Sequence, residues 1–148
     1  MKADARRRLV VLVVDDDPAD VLLIREAFEA TGHSCLVYIA GNGDEALAFL
    51  RRTGAHACAP RPDLVLLDLA MPGMDGRQAL VEIKTDELLR SIPVLVFTAS
   101  QDPHEVDTSY AEHANAYIIK PANLDDFKTI VSAIEEFFAQ VASLPTAS

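Results

Sequence analysis

Short, wholly apolar runs alternate along this chain with longer stretches in which apolar residues recur every three or four positions. The runs, read as strands, are residues 9–14, 34–40, 64–67, 94–97 and 116–119. The stretches that follow them, read as helices, are residues 18–30, 44–52, 76–85, 104–112 and 124–141. In the first of these, Val21, Ile24 and Phe28 share one face. Five strands, each followed by a helix, predict an α/β fold: a doubly wound, five-stranded parallel sheet covered on both faces. The run Val94-Leu95-Val96-Phe97 fits that burial, because a strand covered on both sides has no polar face to present. Residues 53–62, with two prolines and several small residues, read as a loop. One domain is expected over residues 8–142, with a disordered basic tail over 1–7 and a second disordered tail over 143–148.

Composition narrows the setting. The chain has 148 residues, enough for one full core. Its net charge of −10 opposes approach to a phosphate backbone, so no nucleic-acid partner is expected. Arg6-Arg7-Arg8 reads as a solvated tail rather than a DNA arm. No apolar run approaches the ~18 residues of a membrane span, and no signal-peptide core follows the charged N-terminus. The protein is therefore expected in the cytoplasm, with no membrane partner. Cys35 and Cys58 match no metal or redox spacing and read as free, partly buried thiols. His33, His56, His104 and His113 share no ligand spacing and read as structural or exposed.

The chemistry-bearing residues stand where strands end. Ligands of open α/β sheets bind outside the carboxyl ends of the strands, where strand order reverses. Asp15, Asp16 and Asp17 follow the first strand, Asp68 the third, Thr98 the fourth and Lys120 the fifth. In a sheet ordered 2-1-3-4-5 they converge on one pocket. Carboxylates at close quarters repel one another and invite a hard cation; oxygen ligands with several waters retained suit Mg²⁺. Lys120 adds a positive charge and Thr98 a hydroxyl donor. An acceptor carboxylate, a metal, an ammonium and a hydroxyl are the equipment for in-line phosphoryl transfer to Asp68. Asp17 before Pro18, and Asp75 before Gly76, read instead as helix N-caps.

Four stretches carry a family resemblance: Val13-Val14-Asp15-Asp16-Asp17-Pro18, Leu66-Leu67-Asp68-Leu69-Ala70-Met71-Pro72-Gly73-Met74-Asp75-Gly76, Phe97-Thr98-Ala99 and Tyr117-Ile118-Ile119-Lys120-Pro121. In order and at the right strand ends, they resemble the motifs of response-regulator receivers, whose fold is a flavodoxin-like (βα)5 sheet. Asp17-Pro18-Ala19-Asp20, Ala59-Pro60-Arg61-Pro62-Asp63, Arg90-Ser91-Ile92-Pro93 and His113-Ala114-Asn115-Ala116-Tyr117 are similar to the stand-alone receivers that partner phytochrome kinases. The resemblance implies that Asp68 is the phosphoacceptor. It implies a Mg²⁺ site at Asp16, Asp68 and the Ala70 backbone carbonyl, with Asp15 acting through a bound water. Lys120 would contact the phosphoryl group, Thr98 would move toward it, and Tyr117 would be the aromatic switch. The Lys120–Pro121 bond would be cis. The donor would be a sensor histidine kinase, of the bacteriophytochrome type. Two pocket-rim positions, Ala70 and Ser100, are small where larger polar side chains often stand in the family.

Other chemistries fit less well. A haloacid-dehalogenase-type phosphatase needs a general-acid aspartate two residues after its nucleophile, where this chain has Ala70. A flavin carrier needs a first loop rich in Ser, Thr and Gly, where this chain has three aspartates. A pseudo-receiver, acting as a phosphorylation-independent binding module, keeps the fold and is the alternative. No separate substrate is expected to be turned over, so the chain is not read as an enzyme. With no output domain expected after Val141, the signal would be read through the receiver's own surface. The last helix carries Leu124, Phe127, Ile130, Val131, Ile134, Phe137, Phe138 and Val141, an arc wider than a core-facing stripe. Phe127, Ile134, Phe138 and Val141 are expected at its buried centre and Ile130 and Phe137 at an exposed flank. A two-fold homodimer through that face is expected.

Overall fold

The computed structural model describes residues 8–71 and 75–145. The elements are β1 (Val10–Val14), α1 (Pro18–Ala30), β2 (Leu36–Ala40), α2 (Gly43–Arg51), β3 (Leu64–Leu67), α3 (Gly76–Thr85), β4 (Val94–Thr98), α4 (Pro103–Ala111), β5 (Ala116–Ile119) and α5 (Leu124–Glu136). The strands form one parallel sheet in the order β2-β1-β3-β4-β5, as predicted. Each of the five α-helices opens on an Asp or Asn whose side chain accepts an N–H of the first turn: Asp17, Asn42, Asp75, Asp102 and Asn123. Each such cap contributes about 1 kcal/mol. Asp17 and Asp75 are thus the caps the sequence indicates.

The strands alternate between two cores. Leu12, Val14, Val65, Leu67, Val94 and Val96 pack with Leu47, Leu50, Leu80 and Ile83 of α2 and α3. Val11, Val13, Leu64, Leu66, Leu95 and Phe97 pack with Ile24, Phe28, Phe127, Val131 and Ile134 of α1 and α5. Phe97 and Phe127 meet edge to face, ring centroids 5.6 Å apart. Truncating either ring to alanine costs about 3–5 kcal/mol.

Register is locked at the strand starts by two polar side chains. Val10 N–H donates to Asp63 Oδ2 at 2.9 Å, and Asp63 N–H returns a bond to the Val10 carbonyl at 2.8 Å. Val94 N–H donates to Asn115 Oδ1 at 2.8 Å, and Asn115 N–H to the Val94 carbonyl at 2.9 Å. With the starts fixed, β1 and β3 end level at Val14 and Leu67, and β4 and β5 run two residues further, to Thr98 and Ile119. β5 is a half-buried edge strand. Its Tyr117 N–H donates to the Tyr110 hydroxyl of α4 at 3.1 Å.

Three expectations are corrected. β2 begins at Leu36 rather than Ser34, because Cys35 N–H turns back to the His33 carbonyl at 3.0 Å. Cys58 is exposed, beyond a short 3₁₀ turn at Gly54–His56; Cys35 is half-buried. Burial, then the nearby Glu135 charge, pushes the Cys35 thiol up to about 11. The last helix does not keep one period to Val141. After Glu136 the chain widens into a π turn, Phe137–Val141, closed by Ala142 N–H on the Phe137 carbonyl at 2.7 Å. A π turn holds an extra residue, so side chains rotate less per position than in an α-helix. Val141, expected in the core, is 67% exposed, whereas Phe127 and Ile134 are buried and Phe138 is half-buried. Phe137 is 51% exposed, as expected, and Ile130 is half-buried. No described helix is long and apolar enough to cross a membrane. Residues 1–7 and 146–148 of the expected tails, with Arg6 and Arg7, lie outside the described residues. Arg8 donates to the Ser34 carbonyl, and Leu144 is packed against the α1–α5 core.

Candidate functional site

Hydrogen bonding continues one residue past the strands and sets the polar residues side by side. Asp15 N–H donates to the Ala40 carbonyl at 3.0 Å, Asp68 N–H to Val14 at 2.9 Å and Lys120 N–H to Thr98 at 2.7 Å. Both buried carboxylates are then pinned at each oxygen. Asp15 accepts Asp17 N–H on Oδ1 at 2.9 Å and Lys120 Nζ on Oδ2 at 2.7 Å. Asp68 accepts Ala70 N–H on Oδ1 at 3.3 Å and Lys120 Nζ on Oδ2 at 3.0 Å. Lys120 makes a third bond, to Asp20 Oδ2 at 2.8 Å. Its side chain is only 6% exposed.

The charges are shared unequally. Burial alone would pull the Lys120 ammonium down, but the bonds to Asp15, Asp20 and Asp68 outweigh it and hold the group above its ordinary value. For Asp15, burial pushes the carboxyl up, and the bonds from Lys120 and Asp17 N–H pull it only part of the way back. The two directions are consistent: the lysine faces three anions, while each aspartate has a share of one cation.

Asp16 is exposed beside them, and carboxylate oxygens of Asp15, Asp16 and Asp68 lie within 4.8 Å of one another. Three hard, anionic oxygen donors converging at that spacing fit a divalent cation. Gly76 lets α3 approach. Its N–H donates to the Leu69 carbonyl at 3.0 Å, and a Cβ there would fall 2.0 Å from the Asp68 carbonyl oxygen.

Thr98 is buried at the end of β4. Tyr117 stands off from the carboxylates. It is half-buried, and its hydroxyl donates to the carbonyl of Ser100, two residues after Thr98, at 3.0 Å. Burial pushes that hydroxyl up. Asp15, Asp16, Asp68 and Lys120 are thus brought together, with Thr98 accepting the Lys120 N–H on its carbonyl and Tyr117 linked through the Ser100 loop. Pro72, Gly73 and Met74 of the quoted motif lie outside the described residues. Two features differ from the sequence reading. Among the described residues no peptide bond is cis, so Lys120–Pro121 is trans, the isomer favoured by about 0.5–1 kcal/mol. And Asp20, quoted above only within the Asp17-Pro18-Ala19-Asp20 stretch and given no role there, is a partner of Lys120. The one available signal was its place in that stretch, three residues after Asp17.

Comparison with known proteins agrees with this fold. The model of the response regulator receiver domain matches residues 11–132. Response regulator Rcp1 of Synechocystis sp. is 40% identical over 138 residues, which cover 93% of this chain and 94% of that protein. The crystal structure of phosphorylated cyanobacterial phytochrome response regulator RcpA superposes with a TM-score of 0.90 at 43% identity, covering 95% of this chain and all of that one. The Mn²⁺-bound form of Rcp1 superposes with a TM-score of 0.86 at 39% identity, over 93% of this chain and 99% of that one. With five parallel strands in the order β2-β1-β3-β4-β5 and the receiver-domain model matched over most of its length, this chain belongs to the response regulator receiver family.

Proposed function

We propose that this chain is a single-domain response regulator that accepts a phosphoryl group from a sensor histidine kinase onto Asp68 and signals in the cytoplasm through protein–protein contacts. The observation that carries the reading is the Asp68 carboxylate, held by a buried ammonium and flanked by Asp15 and Asp16 at the strand ends. Resemblance to the cyanobacterial phytochrome response regulator RcpA supports a phytochrome-type kinase as donor. Mg²⁺ held by Asp15, Asp16, Asp68 and the Ala70 carbonyl would supply charge neutralisation on the phosphoryl oxygens.

The remaining steps belong to the chain itself. An Asp68 oxygen forms the new O–P bond as the donor's P–N bond breaks, or its P–O bond if the donor is an acyl phosphate. The bonding pair leaves with the donor. Lys120 passes its hydrogen bond from Asp68 Oδ2 to a phosphoryl oxygen. The Thr98 hydroxyl turns to donate to another, and the Ser100 loop carries that movement to Tyr117. The change between states of such an element is a few kcal/mol, so a modest bias shifts its population. No second substrate is turned over. Output passes through the face of α4, β5 and α5, by a two-fold homodimer for which the exposed Phe137 and Val141 provide apolar surface.

Acetyl phosphate with Mg²⁺ should add one phosphoryl group, seen by intact mass, with the acid stability and base lability of an acyl phosphate. Asp68→Asn should abolish it. Undiminished incorporation in Asp68→Asn would refute the assignment, and no incorporation in the wild type would favour the phosphorylation-independent binding module.

A further inference from the structure

The proposed transfer gives a part to Asp15, Asp16, Asp68, Thr98 and Lys120, and leaves one charged group of the pocket without one. Asp20 stands in the first turn of α1. Asp17 already caps that helix, and Asp20 turns its carboxylate to Lys120 at 2.8 Å, with its side chain 25% exposed. It lies outside the three-carboxylate cluster that fits a cation. Its one role visible in the geometry is toward the lysine.

An ammonium has three hydrogens, and carboxylates take all three. Lys120 can bond a phosphoryl oxygen only by releasing one of them. The bond to Asp68 Oδ2 is the one the reaction itself displaces, because the new O–P bond forms on that carboxylate. The bond to Asp20 remains. Lys120 then divides its charge between the phosphoryl group and the two carboxylates that still hold it, Asp15 and Asp20.

Resting on the reading of Asp68 as acceptor, we infer that Asp20 is a positioning residue of the transfer: it anchors the Lys120 ammonium and, by sharing it, sets how tightly the pocket holds a phosphoryl anion. Asp20→Asn keeps the shape and one acceptor oxygen but removes the charge. It should bind beryllofluoride, an anionic phosphoryl mimic, about fivefold more tightly, a modest effect because the group is partly exposed. The half-saturating concentration of acetyl phosphate should fall by a similar factor with the limiting rate constant of phosphorylation little changed, and the difference should shrink as salt is added.

Asp20→Glu, which restores the charge on a longer arm, should return both values toward wild type. A purely structural role would weaken binding in both variants and show no salt dependence. The experiment is a beryllofluoride titration followed by fluorine NMR, beside acetyl phosphate kinetics, on wild type and both variants. An Asp20→Asn variant that matches a phosphorylatable wild type, or an Asp20→Glu variant that fails to restore it, overturns this inference alone. A wild type that takes up neither probe overturns the acceptor reading, and this inference with it.

Discussion

Replacing Gly76 by alanine adds one methyl group, and the surroundings of that position determine its cost. A Cβ would lie 2.0 Å from the Asp68 carbonyl oxygen, 2.6 Å from Leu69 Cα and 2.8 Å from the Asp68 carbonyl carbon. Unstrained carbon contacts rest near ~3.5–4 Å. All three neighbours are backbone, so no side chain can rotate away, and either α3 or the end of β3 must shift. Overpacking of this kind costs about 1–3 kcal/mol or more. Alanine's better helix propensity returns at most about 1 kcal/mol, and less at the first helical position. The net expectation is a loss of about 2 kcal/mol, or a Tm lower by roughly 4–8 °C for a domain of this size.

Where the end of β3 gives way, the shift moves Asp68, the proposed acceptor. Incorporation from acetyl phosphate should therefore drop even at temperatures where the variant is fully folded. Circular dichroism melts and intact-mass kinetics measure the two effects separately. Gly41→Ala is the control: its Cβ would meet only Glu45 Oε1, at 3.6 Å, and should change stability by less than about 0.5 kcal/mol. A Gly76→Ala protein that melts and reacts as wild type does would refute the steric argument.

Two further predictions concern charge and assembly. Lys120→Met leaves buried Asp15 and Asp68 without their shared cation, at a cost of about 3–5 kcal/mol near neutral pH. That deficit should shrink when Mg²⁺ is added, and again as acid protonates Asp15. The wild-type lysine sits above its usual 10.5 in the folded state, so its contribution is full below 10.5 and is lost as pH rises through the folded value. Denaturant titrations across pH should show this alkaline loss in the wild type and not in Lys120→Met; superimposable profiles would contradict it. For the homodimer, sedimentation velocity over a concentration series should show association that Phe137→Glu abolishes. A wild type that remains monomeric with and without beryllofluoride would exclude the dimer.

The sheet was legible because each strand is an unbroken apolar run and each helix begins at an Asp or Asn followed by amphipathic spacing. The acids and the lysine were legible because strand-end position, not local composition, gives them meaning. What escaped the sequence depends on three-dimensional neighbours. Asp20 has the same local appearance as any acid in a first helical turn, and only the path of Lys120 back across the sheet makes it a pocket residue. The apolar spacing of α5 continues to Val141 without a break, so nothing in the pattern marks the π turn that carries Val141 outward. Sequence could also not tell which isomer the Lys120–Pro121 bond adopts, since both are accessible to a proline.

The bond between Tyr117 N–H and the Tyr110 hydroxyl has a consequence for how copies of this chain can meet. The outer side of β5 offers main-chain donors that another strand could use as a template for extending the sheet. α4 places a phenol oxygen on one of those donors near the middle of the strand. Continuous strand addition along that side would first have to displace a helix turn. The molecule can therefore present apolar side chains to a partner on this face while withholding its backbone, which favours a reversible, side-chain-mediated contact over open-ended polymerisation.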